Sequence, residues 1–74
     1  MCLLDLEIGK KAIVDEILTD ASTRKRLYNL GLYKGVLVTV IRFAPLGCPV
    51  EIKVKDFFLA IRVKDAKNVK VRTL

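Results

Sequence analysis

The clearest pattern along the chain is Val50-Glu51-Ile52-Lys53-Val54-Lys55. Apolar and charged residues alternate there with the two-residue period of a strand that has one face in a core and one in water. Val50, Ile52 and Val54 face one way; Glu51, Lys53 and Lys55 face the other. Turn residues recur about every ten positions with short apolar runs between them, the rhythm of a small barrel or sandwich. Leu3 to Gly9 reads as an extended lead-in ending in a turn. Lys11 to Leu18 reads as a first strand, with Ala12, Ile13, Val14, Ile17 and Leu18 supplying apolar contacts. Val36 to Phe43 is a second strand, entered through Gly35. After the Val50 strand, Asp56-Phe57 is placed in a tight turn and Phe58 to Val63 in a return strand. Lys64 to Asn68 makes a helical turn or loop, and Val69 to Arg72 a short last strand.

One helix interrupts this β pattern. Asp20 or Ser22 can cap its start by accepting a bond from an early backbone N–H. Leu27 and Leu30 lie three apart, on one helical face. Gly31 follows where a helix end favours positive φ, and Leu32 can pack back on the last turn. A helix of at most about three turns is not stable alone in water, so it must dock on the strands. Leu27, Leu30 and Leu32 are therefore assigned to the core. Five short strands with a helix in the first long connection make a mainly β fold. A small closed barrel would also remove the edge-strand liability of these Val- and Ile-rich segments.

Size and charge narrow the picture. The chain has 74 residues, 53% hydrophobic and 30% charged. That is a packed composition, enough for one domain over residues 1–74, with a thin core. Its apolar runs are too short to cross a bilayer as a helix. The start, Met-Cys-Leu-Leu-Asp-Leu-Glu, has no basic n-region and no small-residue cleavage site, so the expected location is the cytoplasm. Cys2 and Cys48 are expected to be reduced there. Residues 36–74 carry eight basic and three acidic side chains, which is +5 of the net +6. A basic face can meet nucleic acid, an anionic membrane surface or an acidic protein, or it can simply keep a hydrophobic domain soluble.

The residues argue against an enzyme. There is no His, the commonest general base near neutral pH. The hydroxyls and thiols have no activating neighbour, and no acid–base pair stands out among the carboxylates. Gly31-x-x-x-Gly35 is too short for a phosphate loop and lacks its Lys-Ser/Thr tail. For a metal, Cys48 is the lone loop thiol. Asp5 with Glu7, or Asp15 with Glu16, would give a weak oxygen site for ferrous iron or another transition metal. Adjacent strand positions point to opposite faces, which counts against Asp15–Glu16. Two Cys48 thiols bridged in a homodimer are a further route.

Binding is better supported. In Ala44-Pro45-Leu46-Gly47-Cys48-Pro49 two proline rings fix φ, so presenting Leu46 and Cys48 costs little entropy. Leu46 has two readings: an anchor in a partner pocket, or a cap on the open end of the barrel. Arg24, Lys25 and Arg26 either steer an acidic partner or are ordinary solvated helix charges. Arg62, placed on a strand, is a candidate ion-pair partner of Glu51. The rival class is nucleic-acid binding, with Phe57-Phe58 beside Lys53, Lys55 and Arg62 as the candidate stacking platform.

The order Arg26-Leu27-x-x-Leu30-Gly31-Leu32-x-x-Gly35, then Val36-x-Val38-x-Val40, Ala44-Pro45-Leu46-Gly47-x-Pro49-Val50, Arg62 and Asp65-Ala66 resembles the ferrous iron transport protein A family, FeoA. The resemblance covers essentially the whole chain. It implies a cytoplasmic SH3-like β-barrel, found at the inner face of the plasma membrane when it acts with FeoB, a GTPase-linked ferrous iron transporter. It resembles, too, the C-terminal SH3-like domain of some metal-dependent repressors. The chain departs from the family pattern at position 48, commonly acidic or small and here Cys, and at Asp56-Phe57, where a glycine is usual. The residues selected for partner contact are Arg24, Arg26, Leu46 and Cys48.

Overall fold

The computed structural model describes residues Met1–Leu74. A 3₁₀ turn (Leu3–Asp5) precedes β1 (Lys11–Ile17), α1 (Ala21–Asn29), β2 (Leu37–Phe43), β3 (Val50–Val54), β4 (Phe57–Ile61), α2 (Val63–Ala66) and β5 (Val69–Thr73). The alternation over Val50–Val54 does what its period demands: Val50, Ile52 and Val54 are fully buried while Lys53 between them is exposed. On either side, Val38 and Val40 of β2 pair with Val54 and Ile52, and Ile61 and Leu59 of β4 pair with Val50 and Ile52. The whole sheet is antiparallel in the order β4-β3-β2-β1-β5.

Two register shifts, at Val14/Glu16 in β1 and Val40/Arg42 in β2, interrupt the ladders. A bulge bends its strand and adds twist, and the near-equal extents of 28 × 27 × 23 Å are those of a rolled sheet. Seventeen buried hydrophobic residues from all five strands and both helices form one core cluster. β4 and β5 stand at the two ends of the sheet order, so the barrel closes by side-chain packing and not by a further ladder. The outer edge of β5 is covered by the chain start: Cys2 bridges to Lys70, and Val71 N–H donates to Met1 O at 2.9 Å. The outer edge of β4 stays unpaired, so closure does not remove every edge as expected.

Several local expectations are corrected. The lead-in is a 3₁₀ turn, held by Asp5 N–H donating to Cys2 O and Cys2 N–H donating to the Asp5 carboxylate, both at 2.9 Å. β1 ends at Ile17 and leaves Leu18 exposed. The β3–β4 turn is Lys55–Asp56, with Lys55 at φ +55°, and Phe57 is already paired with Val54. Arg62 follows β4 and precedes α2, and Glu51 pairs with its cross-strand neighbour Arg42. Asp15 and Glu16 flank the β1 bulge and are both exposed.

Leu30 is the most instructive correction. Asp20 is the N-cap of α1, and the helix closes with Leu32 N–H donating to Leu27 O and Gly31 N–H donating to Tyr28 O. This is the double bond pattern of a Schellman end, with Gly31 at φ +99°. The motif folds Leu32, not Leu30, back onto Leu27. Leu27 and Leu32 are buried, and Leu30, in the capping position, is 43% exposed.

Candidate functional site

The β2–β3 connection is short and doubly closed. Ala44 N–H donates to Pro49 O at 3.0 Å, carrying the ladder one step beyond Phe43 and Val50. Gly47 N–H donates to Ala44 O at 2.7 Å, which makes Ala44-Pro45-Leu46-Gly47 a β-turn with Pro at the position whose φ its ring already sets. Leu46 sits at the apex and is 97% exposed. It therefore does not cap the open end of the barrel. A fully hydrated leucine on a rigid turn retains its whole burial energy for a partner, about 1.5–3 kcal/mol. Cys48 follows with its thiol exposed and free. No three Cys, Asp or Glu side chains of the chain converge on a common point.

Arg24 and Arg26 belong to other surroundings. Arg26 Nη2 donates to Asp65 Oδ2 at 3.4 Å and so ties α1 to α2. Asp65 is the one buried charged residue, and Arg26 is the counter-charge that such burial requires. Arg24 instead lines a groove of about 680 Å³ beside α1. Ala21, Arg24, Lys25 and Tyr28, spaced i, i+3, i+4, i+7 on one helical face, form one wall. Ile17 and Leu32 supply apolar lining, and Tyr33 and Lys34 stand across from the helix with Glu16 at the β1 end. The Tyr28 and Tyr33 rings lie 5.2 Å apart at 46°. Lys55 Nζ donates to Tyr33 Oη at 3.0 Å and sits 5.6 Å from that ring. This hydrogen bond, with the field of the phenol oxygen, holds the Lys55 ammonium above its usual pKa.

Sequence reasoning selected Arg24 here but missed Tyr28, Tyr33 and Lys34. Tyr28 falls four residues after Arg24 on the same helical face, but only the turn at Gly31 brings Tyr33 back toward it, and no spacing along the chain announces that. The stacking platform fares less well. Phe57 is paired with the inward-facing Val54, and Phe58 with the outward-facing Lys53, so the two rings leave opposite faces of β4. Phe58 lies within 6.0 Å of Lys53 Nζ, whereas Phe57 lies against Gly31 at the end of α1.

A five-stranded antiparallel sheet rolled around one core, with a helix in its first connection and a rigid apolar loop between β2 and β3, defines a small SH3-like β-barrel. Residues 1–73 match the family model described as the FeoA domain, and the chain belongs to that family. It is 30% identical over all 74 residues to a Porphyromonas gingivalis protein named as a fusion of Fe(2+) transport protein A and the Fe(2+) transporter FeoB, of which it spans 9% of the length. The solution structure of FeoA from Chlorobium tepidum is similar over 100% of this chain and 70% of that one, with 36% identity and a TM-score of 0.95. The crystal structure of Stenotrophomonas maltophilia FeoA complexed with zinc, described as a procaryotic SH3 domain protein, is similar over 97% of this chain and 89% of that one, with 30% identity and a TM-score of 0.79.

Proposed function

We propose that the chain is a non-catalytic, cytoplasmic adaptor of ferrous iron uptake that docks on the cytosolic part of an FeoB-type transporter and modulates it at the inner face of the membrane. The observation that carries this reading is the Porphyromonas gingivalis relative, in which a segment like this whole chain is joined to the transporter in one polypeptide. Covalent fusion keeps two parts at high effective concentration and is useful where they act together. The geometry is in keeping with it. The Ala44–Pro49 loop offers a pre-organised apolar anchor in Leu46 with Cys48 beside it, and Arg24 adds positive charge on α1 that speeds encounter with an acidic surface, while Arg26 is taken up by Asp65. No helix of the chain is long and apolar enough to cross a membrane, in keeping with a peripheral role. Ferrous iron enters this reading as the transporter's cargo. Cys48 is the exposed thiol of the chain, and a second Cys48 from another copy would be needed for a thiolate pair.

The test is an amide-shift titration of the labelled chain with the purified cytosolic GTPase part of an FeoB-type transporter. Shifts at Ala44–Pro49 are expected, and Leu46→Ser should weaken binding at least tenfold, the usual cost of truncating a central anchor. Absence of shifts at saturating partner concentration would rule out docking on that part. Nucleic-acid binding is the weaker reading because Phe57 and Phe58 do not share a face. It predicts affinity that falls steeply with salt, where a Leu46-anchored contact changes little.

A further inference from the structure

We infer that the groove between α1 and the Tyr33–Lys34 segment is a docking site for an acidic peptide segment that carries one bulky apolar side chain. The inference rests on the adaptor reading for the origin of that segment, an acidic stretch of the transporter's cytosolic part, but the site is defined by its own chemistry. Its volume is that of a pocket for a single large side chain with flanking backbone. Ile17 and Leu32 underlie it from the core, and the accessible apolar surface comes from Ala21 and the two tyrosine rings. Tyr28 and Tyr33 bound it with amphipathic rings that have few rotamers to lose, and Tyr33 is held further by Lys55.

The charges select the ligand. Three cations, Arg24, Lys25 and Lys34, line the groove against one carboxylate, Glu16. All three ion pairs of the molecule are elsewhere, at Arg26, Arg42 and Arg72, so these three cations are unneutralised. Apolar lining ringed by uncompensated positive charge is complementary to an apolar residue flanked by Asp and Glu. A second copy of this chain is a poor occupant. Its net charge is +6, and of its one pair of adjacent carboxylates Glu16 lines this same groove while Asp15 is paired with Arg72. RNA is a poor occupant as well, because two rings tilted 46° at 5.2 Å cannot sandwich a base between them.

The test uses the full chain and a fluorescein-labelled peptide, Glu-Asp-Glu-Trp-Leu-Asp-Glu-Asp. A control peptide has Ser at both apolar positions, and a labelled twelve-nucleotide oligouridylate is the RNA control. The Trp-Leu peptide should bind with amide shifts over residues 16–34 and none over 44–49, and the Ser control should bind at least tenfold more weakly. Tyr28→Ser, and separately the pair Lys25→Glu with Lys34→Glu, should each reduce peptide affinity about tenfold or more. All three positions are at the surface, so these variants keep the fold; the pair Lys10→Glu with Lys67→Glu, both exposed and outside the groove, makes the same change in net charge and controls for it. Equal affinity for the Ser control, tighter binding of the oligouridylate, or an unchanged affinity in the groove variants would each overturn the inference. Peptide binding in the groove, with no response to the transporter's cytosolic part, supports the groove and removes the adaptor reading. A transporter footprint confined to Ala44–Pro49, with no peptide binding, overturns the groove and leaves the adaptor reading intact.

Discussion

Asp5 shows how one exposed side chain organises the chain start. Its carboxylate accepts the Cys2 N–H at 2.9 Å, and this backbone hydrogen bond, opposed only in part by desolvation, holds its pKa below the usual carboxylate value. A depressed folded-state pKa stabilises above the unfolded value, about 3.9, and that stability is lost as pH falls through the lower folded-state value. Urea unfolding at pH 7 and near pH 3 should therefore show a loss of stability for the parent chain, and Asp5→Asn should lose less across the same interval. An equal loss in Asp5→Asn would show that other carboxylates govern the acid limb. At this scale the sequence was partly legible. Asp20 was recognisable as the residue before the helix because Asp is preferred there, although its side chain does not make the expected cap hydrogen bond. Asp5 was not, because a three-residue 3₁₀ turn has no periodicity to detect. Leu46 left two readings open, since hydrophobicity alone does not say whether a loop apex folds inward.

The end of α1 joins three elements at one glycine. Gly31 lies at φ +99°, and a Cβ there would come within 2.5 Å of Phe57 Cζ on β4. Gly35 has a similar φ of +92° but open space around it. An alanine at either position bears the left-handed strain, about 1–2 kcal/mol; only at Gly31 must a ring also move. Gly31→Ala should lower the urea midpoint clearly more than Gly35→Ala, and near-equal effects would mean that Phe57 yields at no cost. Elements of this kind were read well where a period ran long enough. Val50–Val54 and the run Val36–Val40 announced their buried faces, and Gly31 announced the helix end. The reading failed where one residue changed the phase. The Schellman turn exchanged Leu30 for Leu32 in the core, the bulge at Val14/Glu16 brought two carboxylates to the surface, and the Lys55–Asp56 turn advanced β4 by one position. The groove was invisible for a related reason. Tyr28 and Tyr33 meet across a turn whose path is set by Gly31, and no spacing rule along the chain relates them.

For the whole molecule the consequence is a separation of stability from binding. A 74-residue chain at about 0.05–0.15 kcal/mol per residue has roughly 4–11 kcal/mol of net stability. Its single core draws on all five strands, so damage at one strand is felt by the whole molecule. Ile52, fully buried at the centre of that core, and Leu46, fully hydrated at the loop apex, are both aliphatic and six positions apart. Ile52→Ala should cost about 2–5 kcal/mol, a large share of the total, and should lower the melting temperature and transporter binding together. Leu46→Ser exposes nothing new and should leave stability within about 0.5 kcal/mol of the parent while reducing binding. Thermal unfolding and binding measured on the same two variants give the discrimination. If Leu46→Ser binds as the parent does at an unchanged melting temperature, the loop is not the anchor, and docking passes to the basic groove at α1. If instead it unfolds early, Leu46 packs against the molecule in solution and the loop is part of the barrel.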